Sequence, residues 1–185
     1  MLEDIQKNKL LKINNDNYKN SFFIQEISTP IGTIIAIADD EYLYTCCHIK
    51  DSKIQSIEKL LKTYSAKLTF QKNNILEKTK LELDKYFNKK LQNFSIPLKL
   101  TGTEFQKKVW QELLKIPYGK TISYQQEAIN IGKPTTFRAV ANANGKNLFP
   151  IVIPCHRVIN TNGKLGGYTG GLEKKEFLLR LESEK

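Results

Sequence analysis

The chain has 185 residues, 40% of them hydrophobic and 26% charged, with 29 Lys/Arg against 19 Asp/Glu for a net charge of +10. That length allows one sizeable core or two small ones. No apolar run approaches the ~18–20 residues of a bilayer-spanning helix, and the polar start MLEDIQKNKLLKINND lacks the apolar stretch of a signal peptide.

A cytoplasmic protein is therefore expected. Three cysteines, Cys46, Cys47 and Cys155, are too few and too oddly spaced for a disulfide framework or a metal site, and two histidines, His48 and His156, exclude a histidine-rich one. The positive charge favours a polyanionic partner, nucleic acid first. It is concentrated late in the chain. Between Phe105 and Leu172 stand Lys107, Lys108, Lys115, Lys120, Lys133, Arg138, Lys146, Arg157 and Lys164, against only Glu112 and Glu127.

Residues 1–20 read as a polar segment, poorly ordered or a short helix. Residues 22–27, 33–38 and 42–49 predict three strands joined by short turns, hence an antiparallel meander. SKIQSIEKLLKTY (52–64) places Ile54, Ile57, Leu61 and Tyr64 on one helical face, with Ser52 and Gln55 as a capping box. A second helix over 74–90 turns Leu76, Leu83, Tyr86 and Phe87 inward. Residues 21–92 thus form an α/β domain, 93–100 a linker of which part can pair as a strand, and 101–185 a second domain.

In that second domain, 103–116 predicts a helix capped by Thr103 and Gln106, with Phe105, Val109, Leu113 and Ile116 on one face and Trp110 in the core. PYGK (117–120) is a turn. Residues 123–132 form a short helix opened by Ser123/Gln126 and closed by Gly132; 134–144 form the next, with Pro134 at its first position. Two short helices about a glycine turn make a helix-turn-helix layout. There follow PIVIPCHRV (150–158), a glycine-rich loop (161–171) and a terminal helix (172–182).

Three groups of residues can carry chemistry. Cys155 is followed by His156 and Arg157; a thiol becomes a nucleophile as the thiolate, which a base or cation favours. In an extended strand adjacent side chains point apart, so His156 reaches Cys155 only through a kink, which Pro154 can supply, or a water. The residue types alone leave a buried structural cysteine equally open. The helix TTFRAVANANGKN carries small residues around Arg138, which suits close approach to a nucleic acid or to another helix. GKLGGYTGG offers flexible backbone, the Tyr168 ring and the Thr169 hydroxyl, but it is neither a Walker loop nor a dinucleotide fingerprint.

Taken together, GTEFQKKVW (102–110), IPYGKTISY (116–124), RAVANANGKN (138–147), IPCHRVI (153–159) and GGYTGGLEKKEFLLRLE (166–182) resemble the O6-alkylguanine-DNA alkyltransferases, in family order and spacing. The resemblance implies an α+β protein: a ribonuclease-H-like α/β unit with a three-stranded antiparallel sheet, then a mainly helical, winged-helix-like helix-turn-helix domain. It implies minor-groove binding of duplex DNA, flipping of the damaged nucleotide, and irreversible transfer of the O6-alkyl group, with O4-alkylthymine as a second substrate, to Cys155. By the same resemblance His156 deprotonates Cys155 through a water and Glu182 orients His156. Asn147 ties the helix-turn-helix to the active-site turn, and Tyr124 helps protonate the leaving base. Val158, Tyr168, Thr169 and Gly170 line the base pocket; Arg138, which fills the vacated stack, and Thr135, Ala139 and Ala143 contact DNA. No cofactor, metal or membrane is implied, and a monomer is expected. Leu148 replaces the family's usual proline, Ala141 and Asn142 stand where glycine or alanine is usual, and Phe137 is bulky before the arginine. These departures bear on the fit of the helix, not on the chemistry. Cys46, Cys47 and His48 are contiguous and assigned to the first domain's core. Competing readings are a protein that binds alkylated DNA without repairing it, and a Cys-His hydrolase with a basic face.

Overall fold

The computed structural model describes residues 9–10, 12–14, 17–49 and 51–184, with only the backbone of residues 51 and 52. The chain divides into two compact units, 1–101 and 102–185.

In the first unit β1 (Asn20–Ile27), β2 (Ile34–Ala38) and β3 (Leu43–Cys47) form the expected antiparallel meander, in register Ile24↔Ile37 and Ala36↔Cys46. Helix α1 (Asp51–Tyr64) leads into a strand that the sequence did not reveal, β4 (Ala66–Thr69), parallel to β1. The expected three-stranded sheet is therefore four-stranded, in order β3-β2-β1-β4. AKLT is too short for a periodic signal, and its pairing depends on the distant Asn20–Phe23 edge. Ser52 lies inside α1 rather than before it, so the capping box assigned to it is not there; its side chain is outside the described residues. So are residues 1–8, 11, 15 and 16 of the polar segment; residues 9, 10 and 12 are helical, and Leu10 is part of the core.

Ile54, Ile57 and Leu61 of α1 pack with Phe22, Ile24, Ile35, Ile37 and Leu68 on one face of the sheet. Helix α2 (Asn74–Phe87) packs against β1 and β2, where Gln25 Nε2 donates to Glu77 Oε1. With both faces covered, β2 and β3 are buried at every position, which is why they read as continuous apolar runs. Cys46 and Cys47 are buried there, and His48 Nδ1 lies 2.9 Å from the Thr33 carbonyl. Helix α2 stops three residues earlier than expected. Lys89 takes a left-handed φ of 56°, and the Lys90 N–H returns to the Lys85 carbonyl at 2.8 Å. Residues 97–99 pair with the free edge of β3, through Leu43 N–H to Pro97 O and Lys99 N–H to Leu43 O.

The second unit opens with α3 (Glu104–Leu113), held by the reciprocal Thr103–Gln106 capping box. A turn at 117–120 leads to β5 (Ile122–Ser123) and α4 (Tyr124–Asn130), where the Ser123 hydroxyl caps the Gln126 N–H. Gly132, at φ 73°, closes α4 with Lys133 N–H bonded to Ala128 O. Helix α5 (Phe137–Gly145) begins three residues after Pro134, not at it. Pro134 is taken up in a turn closed by Thr136 N–H to Lys133 O at 3.0 Å. Residues 155–157 form a single 3₁₀ turn leading into β6 (Val158–Ile159), which pairs in parallel with β5. A loop then reaches α6 (Leu172–Ser183).

Candidate active site

The PCHR segment is a turn, not a strand end. Pro154 at φ −80°, ψ 61° is the centre of an inverse γ-turn, closed by Cys155 N–H to Ile153 O at 2.8 Å. Arg157 N–H then bonds Pro154 O at 3.0 Å. At three residues per turn, Cys155, His156 and Arg157 splay around the axis instead of alternating, which removes the geometric objection raised by the sequence. Asn147 clamps the preceding loop. Its Nδ2 donates to Ile153 O at 2.9 Å and to Cys155 Sγ at 3.3 Å, and its Oδ1 accepts the Phe149 N–H at 2.8 Å. Between these anchors Ile151 has φ 78°, costly for a β-branched residue and held by the surrounding loop.

A carboxylate organises the other side of the turn. His156 Nε2 lies 2.9 Å from Glu182 Oε1; Arg157 donates from Nε to Oε2 and from Nη2 to Oε1, both at 2.9 Å; the Gly119 N–H reaches Oε2 at 3.1 Å. Arg157 Nη1 bonds the Ile116 carbonyl at 2.6 Å. Burial pushes the Glu182 carboxyl up, but the hydrogen bonds and charges of His156 and Arg157 outweigh it and hold it well below the usual range. Burial, reinforced by the charges of Arg157 and Lys175, drives the His156 imidazole down against the opposing pull of Glu182. A neutral ring facing an ionised carboxylate must donate from Nε2. The basic lone pair is then on Nδ1, which is buried and has no hydrogen-bond partner among the described residues. Gly119 permits this packing: a Cβ there would stand 2.8 Å from the Glu182 carbonyl, at φ 71°. Gly119→Ala is expected to cost about 1–3 kcal/mol, read as a lowered urea midpoint.

Lys175 of α6 is fully buried, and its Nζ donates to Val158 O at 2.6 Å and Gly166 O at 3.4 Å. Burial lowers its pKa; the Cys155 charge opposes this. Its Nζ lies 5.7 Å from the centre of the Tyr124 ring. Burial, then the charges of Cys155 and Glu127, push the Tyr124 hydroxyl up to about 12. Tyr168 is raised by burial and by Cys155. The glycine-rich loop lies against these groups. Tyr124 Oη donates to Gly167 O, Thr169 Oγ1 donates to Gly145 O at 2.9 Å, and a Cβ on Gly166 would meet the Tyr124 ring at 2.6 Å. Gly170 packs similarly against the Tyr168 ring.

On α5 and the turn before it, Thr135, Phe137, Arg138, Ala139 and Asn142 are exposed, and the Arg138 guanidinium lies 5.7 Å from the centre of the Phe137 ring. Ala143, assigned to the DNA-contacting set, is instead buried, on the side where Trp110 Nε1 donates to its carbonyl. The small residue serves helix packing there. The sequence offered Arg157 only as a cation beside the thiol, not as the partner of Glu182, and it did not single out Lys175 or Gly119. Lys175 could have been found: it shares a helical face with Leu178 and Glu182, and all three are buried.

Residues 24–100 match the family described as 6-O-methylguanine DNA methyltransferase, ribonuclease-like domain, and residues 104–184 the corresponding DNA binding domain. A methylated-DNA–protein-cysteine methyltransferase of Methanosarcina acetivorans is 42% identical over 154 residues, covering 83% of this chain and 94% of that protein. That of Methanosarcina barkeri is 54% identical over 101 residues, 55% of this chain and 64% of that protein. Among solved structures, Mycobacterium tuberculosis OGT in complex with DNA superposes with a TM-score of 0.75 at 36% identity, covering 88% of this chain and 92% of that one. The two domain matches, in this order and over nearly the whole chain, place it in the 6-O-methylguanine-DNA methyltransferase family.

Proposed function

We propose that this protein repairs O6-alkylguanine in duplex DNA by moving the alkyl group irreversibly to its own Cys155. The observation that carries the reading is the array around the cysteine turn: Asn147 on Sγ, and a buried His156 whose Nε2 is held by Glu182 while Nδ1 keeps its lone pair. His156 takes the Cys155 proton through a water and becomes an imidazolium facing the Glu182 carboxylate. The thiolate attacks the alkyl carbon; the S–C bond forms as the C–O6 bond breaks. The guanine leaves as an anion and takes a proton from Tyr124, which is protonated at neutral pH, and the proton held by His156 returns through solvent to the phenolate. Lys175 offsets the developing negative charge and anchors Val158, whose backbone lines the base pocket with Tyr168, Thr169 and Gly170. The thioether product is stable, so each molecule acts once.

An O6-alkyl group inside a duplex is out of reach of the thiolate, so the nucleotide is flipped out at a cost of a few kcal/mol. Helix α5 enters the minor groove with Thr135, Arg138 and Ala139 at its surface, and Arg138 fills the vacated stack. O4-alkylthymine, whose alkyl group sits at an equivalent oxygen, is the second substrate, and the protein works as a monomer on DNA. Among the described residues no helix is long and apolar enough to cross a membrane.

The test is the protein's mass after incubation with excess duplex containing O6-methylguanine. A gain of one methyl, mapped to Cys155, is expected; tight binding with unchanged mass would instead indicate recognition without repair. Arg138→Ala is expected to slow repair about 10–100-fold, on the order of the stacking energy lost, while weakening binding to undamaged duplex only a few-fold. Equal repair rates would count against the stacking role.

A further inference from the structure

Helices α4 and α5 meet over two polar side chains that the transfer reaction does not use. Glu127 is 0% exposed and Asn144 is 5% exposed. Asn144 Nδ2 donates to Glu127 Oε2 at 2.7 Å, while Glu127 Oε1 and Asn144 Oδ1 are both buried without a hydrogen-bond partner among the described residues. If Glu127 is ionised, both of these atoms can only accept, leaving a buried charge and two unsatisfied acceptors. A proton on Oε1 removes the charge and makes Oε1 a donor, and the unsatisfied acceptor on its hydrogen-bonded neighbour is Asn144 Oδ1.

The surroundings favour that proton. From α3, Glu112 adds like charge; it has its own partners, Asn130 Nδ2 at 2.9 Å and Lys115 Nζ at 2.7 Å. On its own helix Tyr124 is neutral. The β5 and β6 strands contribute Ile122, Ser123, Val158 and Ile159, none of which titrates near neutral pH. Burial, with the Glu112 charge and against the Asn144 hydrogen bond, pushes the Glu127 carboxyl up to about 8.

We propose that Glu127 is a positioning residue that works as a neutral carboxylic acid, joined to Asn144 by two hydrogen bonds, and so seats α5 and its Arg138 on α4 until it ionises. The consequence for DNA rests on the reading that α5 enters the groove; the pairing itself does not. The folded protein holds a proton that the unfolded chain releases in the ordinary carboxylate range. Stability therefore falls as pH rises from that range through about 8 and levels off above it.

Glu127→Gln reproduces the acid form without titrating, since Gln Nε2 donates to Asn144 Oδ1 and its oxygen accepts from Nδ2. Glu127→Leu removes the charge but not the need of Asn144 for partners. Urea midpoints of the full chain from about pH 6 to pH 9 should fall for the wild type relative to E127Q and stay parallel between E127Q and E127L. A protonated-carboxyl band should be present in the wild type's infrared spectrum at pH 7 and absent from E127Q. Affinity for a duplex containing O6-methylguanine should drop above about pH 8 in the wild type, at most about tenfold per pH unit for one proton. E127Q should hold its affinity, and E127L should bind more weakly at every pH. Parallel midpoints for wild type and E127Q, or no carboxyl band, would overturn the neutral acid whatever the DNA result. E127L binding as well as E127Q would overturn the positioning role. A protein that transfers no methyl at any pH yet shows the band and the divergent midpoints would refute the repair reading alone.

Discussion

Cys155→Ser is expected to retain affinity for methylated duplex and to remain at its parent mass after prolonged incubation with excess substrate. A serine hydroxyl holds its proton far more tightly than a thiol, so a neutral imidazole whose basicity burial has lowered does not generate an effective nucleophile from it in this setting. The change is nearly isosteric, and Asn147 Nδ2 still has the Ile153 carbonyl at 2.9 Å to hold the loop. No other thiol can substitute. Cys46 and Cys47 are fully buried in the first unit's sheet, and burial raises both thiols above their ordinary range. Peptide mapping of the wild type should place the methyl on Cys155 alone. A methylated C155S protein would exclude Cys155 as the sole acceptor.

Glu182→Gln should produce the largest combined loss of stability and rate. All four acceptor positions of the carboxylate are in use, by His156, twice by Arg157, and by Gly119. Removing the charge leaves the Arg157 guanidinium buried without its counterion, at a cost of about 3–5 kcal/mol, measurable as a lower urea midpoint. A neutral amide also no longer stabilises the imidazolium or selects the tautomer with Nδ1 free, so alkyl transfer should slow about 10²–10⁴-fold. The double variant Glu182→Gln/Arg157→Met removes both charges. It should recover much of the stability but none of the rate; recovery of both would assign the pair a purely structural role. The same groups set the acid response. The Glu182 carboxyl is depressed in the folded state, so its contribution is complete at neutral pH and is lost as pH falls below the ordinary carboxylate range. His156, also depressed, stays neutral while the unfolded chain takes up a proton, so stability again falls as pH drops through the ordinary imidazole range. In the double variant the carboxylate's part of the acid loss should be absent.

Much of the scaffold was legible because its signals are local. The Thr103–Gln106 box, the Ser123 cap and the Gly132 stop each depend on residues within one helical turn, and each is found where those residues stand. The strands β1 to β3 were legible from their apolar runs and short turns. What was not legible depends on pairing across long separations. β4 exists because it meets β1, and β5 and β6, two residues each, exist because they meet each other. Pro134 looked like a helix start, yet the turn from Lys133 to Thr136 absorbed it.

The amino-acid sequence by itself determined the family, through motifs whose order and spacing need no geometry, and with it the cysteine turn as the place to look. Only the tertiary structure decided how the site is wired. Adjacent residues in PCHR can serve different partners because Pro154 folds them into a 3₁₀ turn. Arg157 stood in the sequence only as a cation next to the thiol, and Lys175 was not singled out there; folding buries them beside Glu182 and Val158. A linear pattern records hydrophobicity and local propensity, whereas the burial of a charge depends on partners brought together from 25 or 17 residues away.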